Sequence, residues 1–167
     1  MYTCGIDSTG RVREENNPEA VVGNYTSIGH GTTFWGSVNY PSIANPKLAC
    51  NRGRLHLQKE FVFGGSKGPI KIGNDVWMGT GCDVLGGVTI GDGAIVGMRT
   101  LVSKDVPPYA VVVGHPMVIK RYRFSPEIIA KLQAIKWWDW TVEVLDARWE
   151  DFLDVDMFVE KYYKEEQ

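Results

Sequence analysis

Every sixth residue from Ile72 to Val102 is aliphatic or methionine: Ile72, Met78, Val84, Ile90, Val96 and Val102. Four positions after each stands a small or β-branched residue, namely Val76, Cys82, Val88, Ala94, Thr100 and Val106, and glycine follows directly at Gly73, Gly79, Gly91 and Gly97. The same register occurs earlier at Val22, Ile28 and Phe34, with Gly23 and Gly29. An α-helix repeats its faces near 3.6 residues and does not use a period of six. A hairpin strand alternates without a fixed glycine. A short strand, a turn and a further short strand fit the period. Three such units close one triangular coil, and coils stack through parallel strands. The pattern therefore predicts an all-β solenoid.

Two interruptions divide the chain. The phase is lost at Tyr40 and returns near Ile70, and between them lie Pro41, Pro46, Arg52-Gly53-Arg54 and Gly64-Gly65. Residues 40–68 read as a loop inserted into the solenoid, and long loops of this kind are often functional. The expected organisation is an N-terminal lead-in over 1–20, a solenoid over 21–123 and a helical tail over 124–167. Gly86-Gly87 and Gly91-Asp92-Gly93 fall at corners, where positive φ favours glycine, and Asp83 and Asp92 read as turn residues. In the tail, Ser125-Pro126-Glu127 is a helix start: a capping hydroxyl, proline at the first helical position and an acid favoured by the helix dipole. Phe124 and Ile129 are spaced for a hydrophobic staple, and Ile128, Leu132 and Ile135 share a face. A second stripe, Val142, Leu145, Trp149 and Phe152, predicts another helix, and Asp154 or Asp156 begins a third. Trp137, Trp138 and Trp140 read as packing residues, with the tail covering the solenoid's open end.

Composition narrows the function classes. The chain has 167 residues with 18 basic and 20 acidic side chains. A formal charge of −2 gives no reason to expect nucleic acid. No apolar run of membrane-spanning length occurs, and the polar start lacks a secretory h-region. Cys4, Cys50 and Cys82 are odd in number and widely spaced, which fits a reducing cytoplasm, with Cys82 packing as a small hydrophobe.

Three stretches carry a resemblance. Ile72-Gly73-Asn74-Asp75-Val76-Trp77-Met78-Gly79 resembles the IGNDVWIG segment of the hexapeptide-repeat acyltransferases, whose fold is a left-handed parallel β-helix. Ser103-Lys104-Asp105-Val106-Pro107-Pro108-Tyr109 with Val113-Gly114-His115-Pro116 resembles their KDVPPY…GNPA close. Phe124 to Trp140, with Trp137-Trp138-Asp139-Trp140, resembles the helical tail of the xenobiotic acetyltransferases, which modify chloramphenicol and streptogramin-type antibiotics. The resemblance covers roughly residues 21–140. It implies a homotrimer with sites between subunits, acetyl-CoA as cosubstrate, no metal, and transfer to a hydroxyl of a small molecule or sugar. It also implies a general-base histidine on the inserted loop, a task that suits imidazole because its pKa lies near working pH.

Carried over residue by residue, the resemblance places Gly79 and Gly97 against the pantetheine arm, Ser103 and Lys104 beside coenzyme A, and Lys120 and Arg121 near its phosphates. At the loop's opening the pattern departs, because Val38-Asn39-Tyr40-Pro41 has Tyr40 where the family has histidine. A phenol with an ordinary pKa of about 10 is a poor base at neutral pH. The candidates for the catalytic position are therefore His56, His30 and Tyr40: His56 on the loop, His30 in a turn of the first coil. His115 stands in the turn that closes the solenoid. The loop's Lys47, Arg52, Arg54 and Lys59 read as a solvated surface as readily as an acceptor site. A catalytically degenerate trimer used for binding or assembly is the alternative reading. A β-helical carbonic anhydrase is disfavoured, because its three-histidine zinc site has no counterpart in three dispersed histidines.

Overall fold

The computed structural model describes residues 11–12, 20–35 and 67–164. The residues that recur every six in sequence sit at one inward position on successive faces. β2 (Ala20–Val22), β5 (Ile70–Ile72) and β8 (Thr89–Ile90) pair in parallel as the first sheet. β3 (Ser27–Ile28), β6 (Trp77–Met78), β9 (Ile95–Val96) and β11 (Ala110–Val113) form the second, and β4 (Thr33–Trp35), β7 (Asp83–Leu85) and β10 (Leu101–Val102) the third. Each turn of chain visits the three sheets in order. Ile72 pairs with Ile90, Met78 with Val96, and Val84 with Val102, an 18-residue step that is three hexapeptides.

The core is the prism's interior. Ile72, Met78, Val84, Ile90, Val96 and Val102 are all 3% exposed or less, and the six small partners four positions on are buried with them. Thr100 is one of these, fully buried, and its Oγ1 accepts from the backbone N–H of Gly114 at 3.2 Å. Burial pushes the Cys82 thiol pKa up, and the thiol donates to the Gly79 carbonyl at 3.0 Å, as expected of a packed sulfur.

Between the first and second coils the register step changes. Ile28 pairs with Met78 and Phe34 with Val84, a 50-residue step, and the described chain ends at Trp35 and resumes at Lys67. The inserted loop expected at 40–68 falls almost wholly outside the described residues, as do Tyr40 and His56. The lead-in contributes a strand that sequence did not indicate: β1 (Arg11–Val12) pairs antiparallel with β2. Asp83 also departs from expectation. It lies within β7 facing outward rather than in a turn, whereas Asp92 is at a corner as expected.

The tail follows its start signals closely. α1 (Pro126–Ile135) is capped by Ser125, whose side chain accepts from the Ile128 N–H. It ends at Lys136 in the left-handed region, followed by a 3₁₀ turn over Trp137–Asp139. The second stripe breaks into α2 (Val142–Ala147) and a 3₁₀ segment (Trp149–Leu153), which leaves Val142 and Trp149 exposed. α3 (Val155–Tyr162) is capped by Asp154, which accepts from both Asp156 and Met157 N–H. Leu132, Phe158 and Val159 are buried in one cluster with Tyr109, against which Phe124 and Ile129 pack partly buried, and Trp138 is buried as well.

The tail does not close the end of the prism. The free edge of the second sheet is covered instead by β12 (Val118–Tyr122), which turns back antiparallel on β11. The helices lie along the corner between the first and second sheets, touching successive coils. The Asn24 amide donates to the Trp138 carbonyl at 3.2 Å, and Tyr25 stacks on Trp137 at 5.5 Å. Gln133 donates to Asp92 at 3.3 Å, and Arg123 pairs with Asp75 at 2.9 Å. The attraction has a local cause: this corner carries Tyr25, Asp75 and Tyr109 in the left-handed conformation, and the two tyrosines pack on Trp137 and Phe124 while Asp75 pairs with Arg123.

Candidate functional site

The three corners of the prism carry different chemistry. At the corner between the third and first sheets the described chain ends at Trp35 and resumes at Lys67. One coil on, this corner is formed by Gly86-Gly87, and in the next coil by Ser103-Lys104-Asp105. Gly87 has φ +78, and a Cβ there would sit 2.6 Å from the Lys67 carbonyl oxygen, so glycine is needed for the returning chain to lie against this corner. Ser103 and Lys104 are exposed, while Asp105 turns back to accept the Thr89 N–H at 2.8 Å, fixing the turn that presents them. Just before the departure, Trp35 donates its indole N–H to Asp83 Oδ1 at 2.7 Å across two coils. An exposed indole and a carboxylate thus stand on the outer face beside the root of the loop. Sequence reading missed both, although an aromatic residue on an outward strand position was a usable signal.

The second corner, between the second and third sheets, holds His30. It is exposed in a turn, and its carbonyl accepts the Gly81 N–H at 2.9 Å. Thr80 and Met98-Arg99 occupy the matching corner turns of the next two coils, and Gly114-His115 that of the last. His30 therefore sits on a different edge of the prism from the point of loop departure, and the structure does not bring it to Ser103 or Lys104.

Gly79 and Gly97 lie where coils press on each other. A Cβ at Gly79 would be 2.6 Å from Met98 N, and one at Gly97 would be 2.8 Å from Val113 Cγ1. Close backbone approach is thus real at both positions, and the next coil makes it. Lys120 and Arg121 are exposed on β12, with Arg121 in register with Val111 and hence on the outer side of the second sheet. Among the described residues no cluster of three potential metal ligands occurs, and no helix is long and apolar enough to cross a membrane.

The third corner, under the tail, is the most elaborated. Arg123 Nη1 donates to Asp75 Oδ2 at 2.9 Å and to the Gly93 carbonyl at 2.8 Å, with its guanidinium over the rings of Tyr109 and Phe124. Tyr109 lies against Gly93, where a Cβ would meet the ring at 2.4 Å. Its hydroxyl is buried, with the Trp137 indole as the polar group that approaches it. Burial foremost, and then the nearby Asp75 carboxylate, push the hydroxyl's pKa far up.

Comparison with known proteins places this geometry. Residues 69–104 match the family model described as bacterial transferase hexapeptide (six repeats). A chloramphenicol acetyltransferase of Morganella morganii is 32% identical over 162 residues, covering 87% of this chain and 71% of that protein. The chain belongs to the hexapeptide-repeat acetyltransferases. Another member, a chloramphenicol acetyltransferase of Agrobacterium fabrum, is 37% identical over 147 residues, covering 80% of this chain and 66% of its own length. The chain thus spans about two thirds of these curated relatives. A hexapeptide-repeat containing acetyltransferase of Vibrio cholerae, solved in complex with acetyl coenzyme A, aligns at 28% identity and TM-score 0.48 over 64% of this chain and 50% of that one.

Proposed function

We propose that the protein transfers an acetyl group from acetyl-CoA to a hydroxyl of a small molecule or sugar, on a left-handed solenoid assembled as a homotrimer in the cytoplasm. The observation that carries this reading is the similarity to chloramphenicol acetyltransferase, which runs from the first coils through the tail rather than stopping at the repeat. Chloramphenicol, which carries hydroxyls, is the first acceptor to test.

The residues present suit coenzyme A. Ser103 and Lys104 are exposed beside the root of the loop, and Lys120 with Arg121 offers cationic donors for phosphate. The acceptor's hydroxyl oxygen attacks the thioester carbonyl carbon while a base on the protein takes its proton. The carbon–sulfur bond then breaks, and the coenzyme leaves as thiolate and is protonated. We assign the base to His56. A phenol is ordinarily a poor base at neutral pH, which disfavours Tyr40, and His30, on another edge of the same chain, is tested beside His56 because a site between subunits draws on more than one edge.

Thiol release from acetyl-CoA, followed with a chromogenic disulfide over a panel of hydroxyl acceptors beginning with chloramphenicol, tests the reading. Turnover that falls about 10²-fold or more in His56→Ala and persists in His30→Ala is the expected result. Absence of saturable acetyl-CoA binding would overturn it in favour of a trimer used only for binding or assembly.

A further inference from the structure

Between the tail and the corner it leans on there is a cleft of about 480 Å³. This lies within the range of small-molecule sites. It is on a different corner of the prism from Ser103 and Lys104, and none of the residues assigned above to acetyl transfer lines it. Its walls are aromatic: Tyr25, Trp137, Trp149 and Phe152, with Leu145 between. Its floor holds Tyr109, whose buried hydroxyl is approached by the Trp137 indole, and Arg123.

Charge selects the occupant. Arg123 is the cation among the lining residues, and Asp75 neutralises it at 2.9 Å. Arg148, next in chain to the wall, turns away to lie over Trp140 and Tyr162 at 4.9 and 4.7 Å. Asp146, exposed at the rim, leaves the lining with one carboxylate in excess. Aromatic faces and an excess carboxylate around an apolar volume favour a cation with a hydrophobic body, through ring quadrupole and Coulomb attraction together. We propose that this cleft is a second ligand site, taking a small organic ammonium with an aromatic or alkyl body. The ammonium lies between the indoles and Asp146, and the body covers Tyr109.

Three probes of one shape test it on the full-length protein: phenethylamine, neutral phenethyl alcohol and anionic 3-phenylpropanoate, by calorimetry and ligand-detected NMR. The amine is expected to bind roughly tenfold more tightly than the anion. Asp146→Asn is expected to erase that preference, and Leu145→Trp to block all three by filling the cleft. Because Leu145→Trp risks the fold, Trp149→Ala, at an exposed position, serves as the second variant and is expected to weaken the amine severalfold. Equal binding of the three probes, binding unchanged in Asp146→Asn and Trp149→Ala, or no binding of the amine at millimolar concentration would each overturn the proposal. None of these readouts depends on acetyl transfer, so failure of the functional reading would be seen separately.

Discussion

Replacing Gly79 by alanine separates two reasons for a glycine in the repeat. The Gly79 backbone bonds upward through its N–H to the Val96 carbonyl at 2.8 Å, and Met78 pairs with Val96 in the same ladder. A Cβ on Gly79 would lie 2.6 Å from Met98 N and 2.8 Å from its Cα, both backbone atoms. Ordinary heavy-atom contact begins at about 3.5 Å, so the two coils must part locally by something under 1 Å. That separation strains ladder bonds on either side of a fully packed interior. Overpacking of this kind costs about 1–3 kcal/mol, which for a chain of this size lowers the melting temperature by roughly 3–10 °C. Gly97→Ala makes the sharper comparison. There the nearest atom is Val113 Cγ1 at 2.8 Å, on a half-buried side chain of the last coil, and the next is the Val112 carbonyl at 3.4 Å. Displacing one rotamer costs about 0.5–1.5 kcal/mol. The expected order of stability is parent, then Gly97→Ala, then Gly79→Ala. Thermal and urea unfolding at a fixed protein concentration measure it, since subunit association would make the midpoint concentration-dependent. A Gly79→Ala protein that melts with its parent, or below which Gly97→Ala falls, would refute the stacking argument. Acetyl-CoA affinity measured well below the melting range then tells whether the coenzyme arm also touches Gly79.

Arg123→Ala removes two charge-assisted hydrogen bonds at a half-buried position and is expected to cost about 1–3 kcal/mol, read as earlier tryptic release of the tail in limited proteolysis. Leu132→Ala opens a cavity in the tail cluster and is expected to cost about 2–5 kcal/mol, measured by urea denaturation. Lys120→Ala with Arg121→Ala is expected to weaken coenzyme A about tenfold while changing dephospho-coenzyme A less, and equal losses in calorimetry would argue against phosphate contact. The Lys161 ammonium and then the Tyr162 hydroxyl hold the Asp151 carboxyl below its ordinary pKa. The stability this contributes is present above the unfolded carboxyl pKa and is lost as pH falls through the lower folded value. An Asp151→Asn variant is therefore expected to differ from its parent at neutral pH and to converge with it in strong acid, as followed by thermal melts across pH.

The solenoid was legible because its rule is geometric. Each hexapeptide must put one large and one small residue inward, and a packed prism tolerates no exception, so Ile72 through Val102 announce themselves by spacing alone. Helix starts were legible for a similar reason, since Ser125 and Asp154 satisfy backbone donors within their own first turns. What sequence did not convey is where the tail rests. Its docking depends on pairs far apart in the chain, Asn24 with Trp138 and Asp75 with Arg123, and neither partner has a periodic signature. The stripe of Val142, Leu145, Trp149 and Phe152 misled because helical spacing was maintained across Arg148, where the chain changes to 3₁₀ geometry and turns Trp149 outward.

The same contrast separates the residues proposed for coenzyme A from the proposed base. Ser103, Lys104, Lys120 and Arg121 are attached to motifs whose register the core dictates, so their places in the fold follow once the repeat is phased. The proposed base, His56, lies in the stretch between Trp35 and Lys67, where the sixfold spacing lapses and the sequence offers no inward position to phase it by. A solenoid corner tolerates an insertion of any length, because the strands on either side pair with the same neighbours whether two residues or thirty separate them. On the proposed function, that tolerance would let acceptor chemistry vary while the coils stay in place. Loop substitutions should therefore alter turnover and acceptor preference with little effect on unfolding, whereas substitutions at inward repeat positions should destabilise the chain before they alter specificity.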